Sequence, residues 1–371
     1  MRTTLIGTTA LAAALVLAAP ALGSTAPAQA AGTWTASTAT GVSGPVSAFS
    51  DGDAWALGNP GFAHWNGTTW QQVPAPADRG IVLAIGDGGP SNAWAVGKVT
   101  SGYHVSSPQI ERWNGTSWAA SPSPAISGRN AALSGVATVS ASNAWAVGTD
   151  GSQSLVEHWD GTAWTRVSVP SPTTMRTKLS AVTARSATDV WAVGTFANTA
   201  PAPDSLYALH YDGTAWRVVT MAQTDSQTNS NQPVAASIAA VGANDVWMVG
   251  DRSNFGTGLT LTEHWDGTKW SIVPSPYDHL PNTPNSITSG ELNTVTARGP
   301  NEVWAGGFFF TFTDGDPAGV YHALLLRWNG TSWTQDTAPT TGDYNVIQGI
   351  SASPHAIWAT NAGTPSLLTH P

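Results

Sequence analysis

The chain contains no cysteine, so its stability cannot rest on disulfides, and thiol chemistry and thioether-crosslinked copper radicals are excluded. Charge is scarce as well: 10% of the 371 residues are charged, and only 14 are Lys or Arg against 23 Asp or Glu. A formal charge of -9 with so few cations argues against nucleic acid and against anionic membrane surfaces as partners. Neither a G-x-S-x-G elbow nor a histidine-rich metal motif occurs. What abounds is glycine (38), proline (25), serine, threonine and tryptophan (19), the composition of an all-β protein with many turns.

Apolar runs are also few, and the longest stands at the N-terminus. Arg2 precedes an apolar stretch over residues 11–19, too short to span a bilayer, and Ala28-Gln29-Ala30 is a small-x-small cleavage site. Residues 1–30 are expected to be a signal peptide and residues 31–371 a single exported domain, secreted and soluble. No later run is long enough to be a transmembrane helix, so membrane insertion is not expected.

The tryptophans repeat. One motif, roughly D-V-W-A-V-G, falls at Trp55, Trp94, Trp145, Trp191, Trp247 and Trp304, with a weaker copy at Trp358. A second, H-W-D/N-G-T-x-W, ends at Trp70, Trp118, Trp164, Trp216, Trp270 and Trp333. Its earlier aromatic is Trp65, Trp113, Trp159, Tyr211, Trp265 or Trp328, and these positions with Trp34 account for every tryptophan. Spacings of 39 to 57 residues between first motifs match a four-stranded blade with variable loops.

The third repeat illustrates the reading. Strands are expected over 133–141, through Trp145 and Val147, over 155–159, and from Trp164 to Val169, where Pro170 and Pro172 end the blade. Asp160-Gly161 supplies the positive φ of a two-residue hairpin. The small residues of the first strand suit a crowded central axis, and the large indoles suit the widening space between blades.

Seven first motifs accompany only six complete second motifs. The repeat of Trp358 stops at His370, before its fourth strand, while Gly32-Thr33-Trp34 is the missing G-T-x-W in shortened form. The fold expected is therefore a seven-bladed β-propeller whose last blade is closed by the N-terminal strand. Six blades would leave Trp34 and Trp358 without partners. An open solenoid would carry capped, not complementary, ends.

Connections within the strand-one-to-two and strand-three-to-four pairs are short and alike. The long ones share the opposite rim, where binding on a rigid scaffold usually resides. That rim has an aromatic sector: Phe196, Phe255, the run Phe308, Phe309, Phe310 and Phe312, then Tyr277, His279, Tyr344, and Tyr321 with His322 at the opening of a third strand. Alternate members of the Phe308 run are expected to extend a strand. Arg79, Arg129, Arg176 and Lys178 lie in the links leaving blades one to three, opposite the aromatics. Flat aromatic faces accept sugar rings, so Phe255, Tyr277, His279, Phe310, Tyr321, His322, Tyr344, Arg79, Arg129 and Arg176 are the candidate ligand-binding residues.

Other motifs have plainer readings. His64, His158, His210, His264 and His370 are assigned one repeat position, where Arg112 and Arg327 substitute; spread around the ring, they suit structural bonding better than a metal. Asn66-Gly-Thr, Asn114-Gly-Thr and Asn329-Gly-Thr match the glycosylation sequon but are the hairpin turn of the repeat. Asp87-Gly88-Gly89 and Asp314-Gly315-Asp316 lack calcium-loop spacing and read as turns. No cofactor or metal is expected. A lyase would need a Tyr or His base beside cations that neutralise a uronate; Tyr277, His279, Tyr321 and His322 with Arg79, Arg129, Arg176 or Arg252 could supply these parts.

D-V-W-A-V-G followed by L-x-E-H-W-D-G-T-x-W resembles the repeats of secreted actinobacterial propellers of kelch-like or galactose-oxidase-like type. It is also similar to the repeats of seven-bladed lectins of the Photorhabdus type. The resemblance covers essentially the whole chain after residue 30 and implies the fold firmly. The missing catalytic signature, the aromatic rim and the lectin-like repeat together lead to the expectation of a non-catalytic, carbohydrate-binding propeller, monomeric as a ring. Its expected partner is a glycan or polysaccharide, and a co-secreted protein is a second candidate within an extracellular assembly. The hairpin departs from the sialidase Asp-box, and several second-to-third connections exceed those of the lectins. The alternatives are a polysaccharide lyase or hydrolase acting on uronate-containing glycans, and a protein-binding scaffold.

Overall fold

The computed structural model describes residues 32–37, 39, 41–102, 105–126, 130–199, 204–222, 232–254, 257–279, 287–313 and 316–371. The expected signal peptide, Arg129, Phe255 and the pair Asp314-Gly315 lie outside the described residues, as does the side chain of Phe312. The ring belongs to the unit Thr33–Pro371.

Among the described residues, twenty-eight strands form seven four-stranded antiparallel sheets. Blade three is typical: Ala132–Ser140, Asn143–Thr149, Ser154–Trp159 and Trp164–Arg166, hydrogen-bonded in that order. Its fourth strand is shorter than expected. One further bond, from Val167 N to Val156 O at 2.8 Å, continues the ladder before the prolines end it. First strands touch first strands from blade to blade, and Ile347–Ala352 of blade seven touches Val42–Ser50 of blade one, so the inner ring is closed. The fold is thus the seven-bladed propeller that the repeat count requires.

The glycine ending D-V-W-A-V-G has a steric cause. In blades two to six the first strand bulges opposite it, for example between Leu133 and Gly135 in blade three and between Leu179 and Ala181 in blade four. The bulge drives a first-strand carbonyl into the space where a Cβ would stand. A Cβ on Gly148 would lie 2.0 Å from Ala132 O, and one on Gly194 1.9 Å from Lys178 O. No side chain fits there.

Adjacent blades are joined by tryptophan clusters. The second-strand indole of one blade meets the third- and fourth-strand aromatics of the next. Trp55 lies 4.8 Å from Trp113 and 5.0 Å from Trp118, the second contact T-shaped at 89°. The same arrangement joins Trp94 to Trp159 and Trp164, Trp145 to Tyr211 and Trp216, Trp191 to Trp265 and Trp270, and Trp247 to Trp328 and Trp333. Aromatic pairs of this kind add about 0.5–1.5 kcal/mol beyond the area they bury.

Blade seven completes the cycle with residues from both ends of the chain. Thr35–Ala36 pairs with Leu367–His370, Thr35 opposite Thr369. Trp34 is 5% exposed and meets Trp304 at 5.4 Å and 86°, the geometry of Trp118 on Trp55. Trp358 meets Trp65 of blade one at 6.4 Å. The Trp34 contact therefore repeats the geometry of the other seams, whereas the Trp358 contact is wider than its counterparts.

The register corrects one assignment. His64, His158, His210 and His264 stand directly opposite the second-strand tryptophan, but Trp358 stands opposite Thr369, and His370 pairs with Ile357. His370 thus occupies the place of the third-strand indole and packs on Trp304 at 4.8 Å. The truncated motif conceals this one-residue offset, because no D-G-T-x-W follows to anchor the alignment. The other histidines lie over their tryptophans, with centroids 4.1 to 4.4 Å apart. Three of them also bond the aspartate that begins the motif: His64 to Asp53 at 2.7 Å, His210 to Asp189 at 2.9 Å and His264 to Asp245 at 2.8 Å. Arg112 and Arg327 fill this place as cations over Trp94 and Trp304.

The hairpin turns use Asn and Asp alike. Asp160 Oδ1 accepts from Thr162 N at 2.8 Å and Ala163 N at 2.9 Å, and Asn66 Oδ1 accepts from Thr68 N and Thr69 N at 3.0 Å each. The side-chain oxygen caps the turn whichever residue carries it.

Candidate functional site

Blade six breaks the uniformity of the ring. Its strands Glu302–Thr313 and Asp316–Trp328 form a hairpin of 12 and 13 residues, against seven and six for the equivalent pair in blade three. The Phe308 run is therefore strand, not loop, and Tyr321 and His322 lie well inside the third strand, which begins at Asp316. Alternation along the strand sends successive rings to opposite faces.

On one face, Phe309 stands opposite His322, with the rings stacked at 4.6 Å. Tyr277, from the link entering blade six, stacks on the other side of Phe309 at 5.1 Å and 10°. Its hydroxyl donates to Gln335 Oε1 at 2.8 Å. The three rings thus make one column, Tyr277–Phe309–His322. Beside it opens a cavity of about 480 Å³ lined by Phe309, His322, Gln335, Asp336, Thr337 and Thr340, among others. His322 Nε2 bonds Thr311 Oγ1 at 2.9 Å, and burial holds its pKa below the ordinary histidine value. Burial likewise raises the Tyr277 phenol.

On the other face, Tyr321 lies 5.3 Å from Phe308, 4.8 Å from Phe310 and 5.2 Å from Tyr344. Tyr344 is 57% exposed. The expected aromatic sector is thus one hairpin with rings on both faces, brought together in two groups. Phe196 belongs to neither; it ends the strand Asp189–Phe196 and packs edge-on against Tyr207.

Tyr277 has φ +69°, a left-handed conformation that a bulky residue adopts only at a cost of order 1–3 kcal/mol. Two backbone contacts hold it there. Thr260 N donates to Tyr277 O at 3.0 Å, and Gly290 lacks the Cβ that would come within 2.9 Å of the Tyr277 Cβ. His279, two residues on, is exposed and bonds Asp278, whose carbonyl accepts from Arg252 Nη2 at 2.8 Å.

Two carboxyl groups that sequence reasoning passed over lie at the same seam. Asp251 follows Val249 on the face of blade five turned towards blade six, and Glu291 is on the first strand of blade six. Burial, reinforced by the Glu291 charge, raises the Asp251 pKa to about 7; burial raises that of Glu291.

Of the candidate cations, Arg252 reaches this sector, whereas Arg79 and Arg176 do not. Arg79 covers Phe62 at 5.2 Å and donates to Gly61 O at 2.5 Å, a structural role within blade one. Arg176 and Lys178 line a separate cavity between blades three and four. A third cavity, of about 580 Å³, opens between blades two and three over Trp159, Trp164, Pro122 and Pro124. Its wall is Arg112, whose guanidinium lies between Trp94 and Trp159 at 5.1 and 5.0 Å. The signal in sequence is Ala119-Ala120 on the outer strand, where other blades carry larger pairs such as Gln71-Gln72 and Arg217-Val218. Among the described residues, no group of three or more His, Cys, Asp or Glu is placed to hold a metal ion.

Fold, seams and rim together define the chain as a seven-bladed β-propeller. No protein-family model and no curated protein matches it. Solved propellers do. A structure titled YCF48 bound to D1 peptide is similar over 95% of this chain and 99% of its own, with a TM-score of 0.54 and 16% identity. A PL25 ulvan lyase, from a family of polysaccharide lyases, is similar over 89% and 93%, with a TM-score of 0.55 and 11% identity. A GH74 xyloglucanase from Xanthomonas campestris matches 88% of this chain and 52% of its own, with a TM-score of 0.54 and 13% identity. At such identities the likeness is one of fold.

Proposed function

We propose that this protein is an exported, non-catalytic carbohydrate-binding propeller whose working surface is the blade-six hairpin. The observation that carries this reading is the column Tyr277–Phe309–His322 beside a cavity that offers amide, carboxylate and hydroxyl groups. Sugar rings present C–H groups on one face and hydroxyls around the edge. A flat aromatic with polar groups at its margin matches both. The backbone strain at Tyr277 supports the assignment, since such strain collects at ligand clamps. The cleavable leader read from residues 1–30 and the lectin-like repeat agree with it.

The test is a glycan array followed by calorimetry with the best sugar. Phe309→Ala should weaken binding about tenfold or more, which is about 1.4 kcal/mol. No glycan bound, alongside tight binding to a co-exported protein, would replace the lectin with a scaffold. The propeller titled as bound to a peptide lends the scaffold a parallel at the level of fold.

A second reading, an enzyme that cleaves polysaccharide, is favoured by the pair Asp251 and Glu291. A carboxyl group whose pKa is raised to about 7 beside another carboxyl group is the equipment of a glycoside hydrolase. New reducing ends would support hydrolysis. Ultraviolet absorbance from unsaturated products would support a lyase with Tyr277 or His279 as base.

A further inference from the structure

The cations offer a second, independent observation. Arg166, Arg185, Arg217 and Arg298 are each within 4.0 Å of a carboxylate. Arg79, Arg112 and Arg327 lie over aromatic rings, and Arg252 bonds a carbonyl. Arg176 and Lys178 have neither kind of partner among the described residues, and both are exposed. They nevertheless share one cavity, of about 350 Å³, between the tip of blade three and the upper end of blade four.

The walls of that cavity are built for small polar groups. Its floor includes Thr177 and Thr195, both buried, and one side is the turn carrying Thr149, Gly151 and Ser152. Hydrogen bonds fix this frame. Thr177 N donates to Ser152 O at 3.1 Å, Gly151 N to Thr149 Oγ1 at 3.0 Å, and Ala197 N to Arg176 O at 2.8 Å. Asp204 is the one acidic residue of the lining, so two cations exceed one anion. In a chain with a charge of -9, a rigid pocket with surplus positive charge is unusual. It sits on the rim that carries the blade-six hairpin, because the connections from second to third strand all emerge there.

We infer that the cavity between blades three and four is an anion subsite, holding the carboxylate or sulfate of an acidic polysaccharide whose apolar sugar faces lie on blade six. This rests on the proposed glycan binding at blade six and adds the class of glycan. The guanidinium of Arg176 offers paired N–H donors that suit either oxyanion, and the Lys178 ammonium adds a point charge. One chain engaging both places gains by effective concentration, so affinity should climb once an oligosaccharide is long enough to reach from one to the other.

Calorimetry on the whole protein tests this with three probes: oligogalacturonates of increasing length, a sulfated oligosaccharide series and a neutral series. In the wild type, one acidic series should bind at least tenfold more tightly than the neutral series, and added salt should weaken it. Whichever acidic series binds identifies the oxyanion. The double substitution Arg176→Ala with Lys178→Ala should abolish that advantage and its salt dependence while leaving neutral binding unchanged. Both residues are exposed, so folding should survive, and an unaltered melting temperature verifies it. Equal binding of acidic and neutral series, or an acidic advantage that persists in the double variant, overturns the subsite. Neutral binding that survives in those cases leaves the blade-six reading standing, whereas loss of all glycan binding ends both.

Discussion

The seams and the upper rim of this propeller are built from the same residue type and use it oppositely. At the seams, aromatics repeat in fixed positions and are sealed from water: Trp55, Trp94, Trp191, Trp247 and Trp304 are at most 1% exposed. At the rim of blade six the aromatics follow no repeat, and Tyr344 is 57% exposed. Aromatics placed by the period of the sequence hold the ring together; at blade six, aromatics that break the period reach the surface, as Tyr344 does. The difference teaches that in a repeat protein the exceptions are where function is sought.

The comparison can be broken most directly at the seam built from both ends. Trp34→Ala should cost about 3–5 kcal/mol, as burial of a core indole implies, and Trp118→Ala should cost a similar amount. Denaturant unfolding of the two variants measures this. An unchanged midpoint for Trp34→Ala alone would mean that the seventh seam does not bear load.

Next comes the repeat glycine. Gly194→Ala, whose Cβ would lie 1.9 Å from a carbonyl oxygen, should destabilise by about 1–3 kcal/mol. Gly299→Ala, with open space around it, serves as the control. Thermal melts showing equal losses would refute the bulge as the reason for the motif.

A pH effect separates the third strands of blades two, three and five from those of blades one, four and six. Blades two, three and five bury Glu111, Glu157 and Glu263 on the third strand, where blades one, four and six carry Ala63, Leu209 and Leu326. Burial raises the pKa of Glu111 and Glu157 to about 7 and that of Glu263 to about 8. In the unfolded chain these groups lose their protons near the ordinary glutamate value of about 4.3. Between that value and pH 8 the folded state holds more protons, so stability falls as pH rises. Melting temperatures taken from pH 5 to 8.5 should decline, and Glu263→Leu should flatten the curve. A wild-type profile flat over this range would show that the glutamates are charged when folded.

The smallest effect belongs to the turns. Asn329→Asp should shift stability by no more than about 0.5 kcal/mol, since both residues cap the same hairpin. A larger change in a thermal melt would give that asparagine a role beyond the turn.

The fold was largely legible because its determinants are local and repeated. Trp55 and its six counterparts count the blades, Asp160-Gly161 marks a hairpin, and Trp34 announces the missing strand. His370 misled because a motif cut short leaves its register ambiguous by one residue, and one residue in a strand reverses the face. The rim was legible as composition, not as geometry. The run of phenylalanines marked blade six, yet the pairing of Phe309 with His322 depends on where the hairpin turns. Asp251 with Glu291, and Arg176 with Lys178 opposite Asp204, come together only when one blade is set against another or when a hairpin tip folds back. No period in the chain carries that information.

The bond between Thr35 and Thr369 spans 334 residues. A chain made from its N-terminus outward therefore presents the edge of its final sheet almost first and the remainder of that sheet last. Six blades can pair internally while they wait, each from its own consecutive residues. The seventh must gather its strands across the whole molecule, against the entropy of the longest loop in the fold. That sheet thus joins the oldest part of the newly made domain to its youngest.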